Sequence, residues 1–190
     1  MSNLEEKQYT QTNTIDNITL INNLSAIIAL DLNNGFSKNG NIPWKSKTDM
    51  TFFKDKTMHN TVIMGYNTLL SLPNSKPLMS RHNIVITKDK KKCINNYNQL
   101  NLTNLEFCNF EEAINIIKSK QKQHFFIIGG IQIFKLFFPY IKTLFLTRFK
   151  ENYSCDKFLH IDKYYSIDNT NNNILLNNDE LTIYEIQLLT

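Results

Sequence analysis

The chain has 190 residues, enough for one domain with a sizeable core, and its 42% hydrophobic and 20% charged residues are those of an ordinary globular protein. Its formal net charge is only +4, and the single dense basic run, Lys88–Lys92, is interrupted by Asp89. That run reads as a solvated loop, which argues against a dedicated nucleic-acid binder. Cys93, Cys108 and Cys155 are odd in number and too widely spaced for a zinc knuckle or a redox pair. Free thiols in a reducing compartment follow, and no metal site is expected. No apolar run is long enough to span a bilayer and no apolar leader core follows Met1, so a cytoplasmic location is expected.

Residues 1–20 are polar and are expected to form a loose tail ahead of one domain over 21–190. The nearly continuous apolar run Leu24–Leu30 suits a strand covered on both faces. Asn33, Asn34 and Gly35 end it. From Gly35 to Trp44 there is no periodicity, and Gly35, Gly40 and Pro43 mark a long, mobile loop of the kind that forms functional lids. Residues 48–58 have helical spacing, with Met50, Phe53 and Thr57 on one face. Strands are expected at 61–64 and 84–87. Asn109, with Glu112 three residues on, caps a further helix. Strand 125–128, the Gly129-Gly130 turn, a helix through Phe138 and strand 144–147 complete the alternating part. Such alternation implies an α/β domain with a mainly parallel, twisted sheet and helices on both faces. Strand patterns without helices, at Tyr164–Ile167 and Leu181–Leu188, suggest an antiparallel addition at the C-terminal edge. The Asn-rich stretch 168–178 then reads as a long hairpin loop.

The candidate chemistry lies at strand ends, where open α/β sheets bind ligands. Gly129 and Gly130 precede a helix, so free amides and the positive end of its dipole can meet a pyrophosphate; a plain structural turn is the alternative. Gly65 and Thr68 offer a second such contact, and Thr87 with Lys88 a third, suited to an added ribose phosphate. Asp49 fits a Ser46-x-x-Asp49 capping arrangement, yet it also shares a helix face with Phe53 and could pair with the amidine-like edge of a flat heterocycle. Arg81 could clamp a substrate carboxylate or stand as a surface charge; spacing does not choose.

Taken in order, Asn39-Gly40-Asn41-Ile42-Pro43-Trp44, then Asp49 and Phe53, resemble the signature of the dihydrofolate reductase family. Val62-Ile63-Met64-Gly65 with Thr68, Arg81 through Thr87, Ile127-Ile128-Gly129-Gly130, Leu144-Phe145-Leu146-Thr147 and Cys155-Asp156-Lys157-Phe158 are similar to its later motifs. The resemblance implies a single-domain, eight-stranded fold, NADPH as cofactor, and reduction of dihydrofolate by hydride transfer to C6 and protonation at N5. It implies that Asp49 pairs with the pteridine, supported by Thr147, and that Trp44 helps order the lid loop for catalysis. Ile27, Met50, Phe53, Leu72 and Ile128 would line the pocket, and Arg81 would take the glutamate-tail carboxylate. Ala29 and Ile42 would flank the nicotinamide. Gly65, Thr68, Gly129, Gly130, Gln132 and Ile133 would surround the pyrophosphate, with Thr87 and Lys88 at the 2′-phosphate. The loop 35–44 would be the lid. Antifolates are expected to bind, and a monomer without nucleic-acid or membrane partners is expected. The chain departs from the pattern at Ser37, Tyr66, Asn67, Leu69 and Ile131.

The nearest enzymatic alternative is a pyrimidine reductase of riboflavin synthesis, against which the Pro43-Trp44, Asp49 and Phe53 set argues. A reductase-like binding module is disfavoured by the retained Asp49, Arg81 and Thr147. RNA binding through Lys88–Lys92 has only charge behind it.

Overall fold

A computed structural model describes residues 20–100, 102–163 and 172–187. In chain order its elements are β1 (Ile21–Leu30), β2 (Gly35–Ser37), α1 (Lys47–Thr57), β3 (Thr61–Gly65), α2 (Tyr66–Ser71), β4 (His82–Ile86), α3 (Lys90–Tyr97) and β5 (Leu105–Cys108). There follow α4 (Phe110–Ser119), β6 (Phe125–Gly129), α5 (Ile131–Phe137), β7 (Ile141–Phe149), β8 (Lys157–Phe158), β9 (Asn172–Asn177) and β10 (Leu181–Gln187). Eight strands form one sheet in the order β5-β4-β3-β6-β1-β7-β10-β9. The pairs from β5 across to β7 are parallel. β10 runs against β7, and β9 against β10. The expected mainly parallel sheet with one reversed strand near the C-terminus is what forms.

β1 lies centrally because both its faces are apolar. Leu24, Ala26, Ile28 and Leu30 point to one face and join Ile63, Ile127, Phe134 and Phe137 in a core under α4 and α5. Ile27 points to the other and meets Val62, Met64, Phe126 and Phe145, against which Phe52 and Phe53 of α1 pack. Burying each such large side chain stabilises the fold by about 1.5–3 kcal/mol. At α4 the expected capping box is complete: Glu112 N donates to Asn109 Oδ1 (2.8 Å) and Asn109 N to Glu112 Oε2 (2.9 Å).

Three expectations are corrected. Residues 172–177 are not loop but the edge strand β9, because β10 supplies a ladder partner and Ile174–Leu176 supply an apolar stretch amid the asparagines. The basic run is not loop either: Asp89 accepts from Lys92 N (3.0 Å) and caps α3, whose buried face is Cys93 and Tyr97 while Lys90, Lys91 and Lys92 stay exposed. The segment 35–44 is partly ordered, since β2 pairs with β8 and Lys38 exchanges two backbone bonds with Asn41 (2.9 and 3.0 Å). The strand expected at Tyr164–Ile167 and, apart from Leu20, the tail over 1–20 lie outside the described residues.

Where β1 ends, Asp31 is fully buried and its carboxylate accepts three backbone N–H groups, from Asn33 (2.8 Å), Gly35 (2.6 Å) and Tyr153 (3.1 Å). Arg148 Nη1 donates to Asp31 O (3.0 Å) and Asn34 Oδ1 (2.8 Å). Glycine is required at 35, where a Cβ would stand 2.5 Å from Asp31 Oδ2. Burial alone would raise the Asp31 pKa, but the three amides and the Cys155 thiol outweigh it and hold it below the usual value. Its stabilisation is therefore present above the ordinary aspartate range and lost as pH falls through the depressed folded value. Asp31→Ala should cost about 2–4 kcal/mol at neutral pH and flatten the acid side of the stability profile. Urea titration across pH tests this; an unchanged midpoint would contradict it.

Candidate active site

Helix α1 starts at Ser46, whose extended backbone (φ −112°, ψ 121°) turns the chain up beside the C-terminal ends of β1 and β7. Ser46 Oγ accepts Asp49 N–H (3.2 Å). The cap uses only the backbone of Asp49. No reciprocal bond from its side chain completes a box, unlike at α4. The capping arrangement forms, and the half-buried carboxyl group of Asp49 is not used in it.

Burial raises the Asp49 pKa above its ordinary value; the Thr147 hydroxyl opposes this, the Glu180 carboxylate reinforces it, and the Trp44 indole opposes it more weakly. Thr147 is buried on β7 opposite Ala29 of β1. Trp44 is only 6% exposed, packed between Phe149 (ring centroids 4.8 Å) and Tyr153 (5.5 Å). Its Nε1–H is buried and makes no full hydrogen bond, to Asp49 or to any other described residue. A buried N–H of this kind is ready for a ligand or solvent atom entering beside the acid.

Ile27, Phe53, Leu72 and Ile128 join one apolar cluster. Ala29 packs instead with the Trp44 group. Met50 and Ile42 are each 63% exposed and are not drawn into either cluster. Phe52 was missed by sequence reasoning: it stacks edge-on against Phe145 (6.0 Å), and Lys56 Nζ sits 4.4 Å from the Phe145 ring centroid. The adjacent Phe53 carried the helical spacing to Asp49, so pattern alone gave no reason to choose its neighbour.

Arg81 is anchored to the same helix. Its Nη1 donates to Thr57 Oγ1 (3.1 Å) and its Nε to Met79 O (3.0 Å), while Thr57 Oγ1 donates to Phe53 O (2.7 Å). The fork is thus fixed in direction, with Nη2 unbonded among the described residues. Burial lowers the Arg81 pKa, but a guanidinium keeps its charge.

The second cluster forms where β3 and β6 end side by side, with Met64 opposite Gly129. Gly65 and Gly130 are the N-caps of α2 and α5, neither with a side-chain cap. The Gly129-Gly130 peptide is cis and Gly129 has φ +128°. A Cβ at Gly65 would stand 3.0 Å from Ile133 Cγ1, and one at Gly130 would stand 3.4 Å from Thr68 Oγ1. Gly65, Thr68, Gly129, Gly130 and Ile133 are therefore brought together; Gln132 is exposed beside them. Thr87 follows β4 half-buried, its Oγ1 accepting Asp89 N (3.1 Å), and Lys88 is exposed next to it. The departures have structural uses: Tyr66 accepts from Asn96 Nδ2 (3.0 Å) and packs on Phe107, and Leu69 is fully buried. Among the described residues no group of three or more His, Cys, Asp or Glu could hold a metal ion, and no helix is long and apolar enough to cross a membrane.

A family profile described as Dihydrofolate reductase matches residues 23–187. A dihydrofolate reductase of Ureaplasma parvum serovar 3 is 32% identical over 145 residues, covering 73% of this chain and 83% of that protein. One of Mycoplasma pneumoniae is 31% identical over 144 residues, covering 73% and 84%. Among solved structures, dihydrofolate reductase from Enterococcus faecalis complexed with NADP(H) and RAB-propyl is similar with a TM-score of 0.62 and 25% identity, over 87% of this chain and 95% of that one.

Thr57 ties Arg81 to α1. Thr57→Val should therefore lower stability by about 1–2 kcal/mol, since it strands a guanidinium N–H at a buried position. Denaturant unfolding measures this, and a stability equal to the parent would contradict the anchoring.

Proposed function

The chain belongs to the dihydrofolate reductase family, and on that premise we propose that it reduces dihydrofolate to tetrahydrofolate with NADPH as the hydride donor. The observation that carries the reading is Asp49: a half-buried acid whose side chain its own helix cap leaves unused, set among Thr147, Trp44 and an aromatic wall.

The strand-end cluster fits a dinucleotide. Backbone must approach a pyrophosphate closely, and the positions where a Cβ would crowd Ile133 and Thr68 are glycines. Gly65, Thr68, Gly129, Gly130, Gln132 and Ile133 would hold the pyrophosphate on uncapped amides, and Thr87 with Lys88 the 2′-phosphate. NADPH, when bound, supplies the hydride.

Asp49 accepts the 2-amino and N3 hydrogens of the pteridine, fixing the ring in its plane and favouring its protonated form. Thr147 orients the carboxylate. Ile27, Phe53, Leu72 and Ile128 cover the ring and the benzoyl group, and Met50 reaches over from the exposed side. Arg81 takes the glutamate α-carboxylate with the face its anchors leave open. Ala29 and Ile42 flank the transfer path. The 35–44 segment, with Trp44 at its base, excludes bulk water while a solvent proton reaches N5. No second side-chain acid is assigned to that step. Three buried, unpaired thiols suit a reducing compartment such as the cytoplasm.

Protein, NADPH and dihydrofolate together should lose reduced-nicotinamide absorbance, and omission of dihydrofolate should abolish the loss. Asp49→Asn should reduce kcat near neutral pH by about 10²-fold or more while leaving thermal unfolding nearly unchanged. Turnover near the parent value would refute the role. Lys88→Ala should raise KM for NADPH more than for NADH, because only the former carries the 2′-phosphate; equal changes would contradict that assignment.

A further inference from the structure

Glu180 has no place in the sequence-derived site, yet the fold brings it to the first turn of α1. It stands in the tight turn between β9 and β10, fixed on several sides. Its N–H donates to Asn178 Oδ1 (3.0 Å), the same oxygen accepts Leu181 N–H (2.9 Å), and its carbonyl accepts Lys150 N–H (3.0 Å). Its side chain accepts a hydrogen bond from Ser46 Oγ (3.0 Å), and that hydroxyl, itself buried, accepts Asp49 N–H. A continuous chain of bonds therefore runs from the Asp49 peptide through the Ser46 hydroxyl to the Glu180 carboxylate.

We propose that Glu180 is a positioning residue for the reaction: locked by Ser46 against the start of α1, it places a second negative charge behind Asp49 and so sets the pH range in which the site works. The inference rests on the reductase reading above. The groups bearing on Asp49 are Thr147 from β7, Trp44 from the segment before α1, and Glu180 from the β9–β10 turn; no basic side chain is among them. On its other side Glu180 bears on Tyr153, where Glu151 also lies. No cation in this set neutralises the added charge; Thr147 and Trp44 oppose its effect only as hydrogen-bonding groups beside Asp49. A like charge makes the Asp49 carboxyl harder to ionise, and it makes a protonated pteridine beside it easier to keep. Both effects shift the useful range upward in pH. The uncharged cap bond could have been made by any acceptor; a carboxylate adds the field.

Glu180→Gln keeps an acceptor for Ser46 and removes only the charge. Aspartate carrying an NMR-active carbon at Cγ, with the Asp49 signal assigned through Asp49→Asn, reports the Asp49 titration directly. The midpoint should fall measurably in Glu180→Gln. It should fall by less in Ser46→Ala, which frees the carboxylate without discharging it. The alkaline limb of kcat/KM for dihydrofolate should move in the same direction. An Asp49 midpoint unmoved in Glu180→Gln overturns the proposal, and so does a pH–rate profile that superimposes on the parent's. The NMR titration reads the coupling whether or not the protein turns over dihydrofolate, so failure of the reductase reading alone would show as an absent rate with a shifted midpoint.

Discussion

A carboxyl group at the edge of an apolar pocket is costly unless its surroundings pre-arrange partners for it. At Asp49 that arrangement is made by the backbone. Ser46 takes the peptide N–H, so the helix begins where it does without drawing on the acid's own oxygens. Thr147 approaches from the adjacent strand end, and Trp44 presents a buried N–H that has no other use among the described residues. Burial lifts the proton affinity of the group, and these donors restrain the lift. The proposed function uses that balance: a planar, hydrogen-rich edge would complete the acid's hydrogen bonding.

The sheet connects that acid to the glycine-bearing strand ends through β1 and β7. The side chains of β1 reach both cores, and its central residues pair with β6, which ends in Gly129, and with β7, which carries Thr147. In the proposed function, a nucleotide on the β3–β6 side and a flat ring on the α1 side would meet across Ala29. The buried Asp31 cluster fixes the turn from which the 35–44 segment departs, while the β2–β8 pair and the Lys38–Asn41 bridge give that segment a defined course.

Much of this was legible in the residues. The continuous apolar run of β1, the Asn109–Glu112 box and the Gly-terminated strands depend on neighbours close in sequence, and they form as read. What escaped depends on contacts between distant segments. β9 looks like loop because an edge strand needs only one ladder partner and can keep polar side chains toward solvent. Lys90–Lys92 look like loop because a run of charge reads as a solvated turn, whereas the cap at Asp89 and the buried pair Cys93 and Tyr97 make it helix. Glu180 could not be found from spacing at all, since its link to Asp49 passes through a hydroxyl and a hairpin brought in by the far end of the chain. Exposed Met50 and Ile42 were assigned by resemblance, and local pattern holds no information on which way an unpacked side chain turns.

The proposed function requires the Asp49 carboxylate to grip the amidine edge of a pteridine as an ion pair. A diaminopteridine, whose ring takes up a proton when it meets a carboxylate, reports this by its ultraviolet absorption. Bound to the protein at a pH above the free ligand's own pKa, it should show the spectrum of the cation, and bound to Asp49→Asn it should show that of the neutral ring with much weaker affinity. A neutral spectrum with the parent protein, or equal affinity for both, would contradict the account.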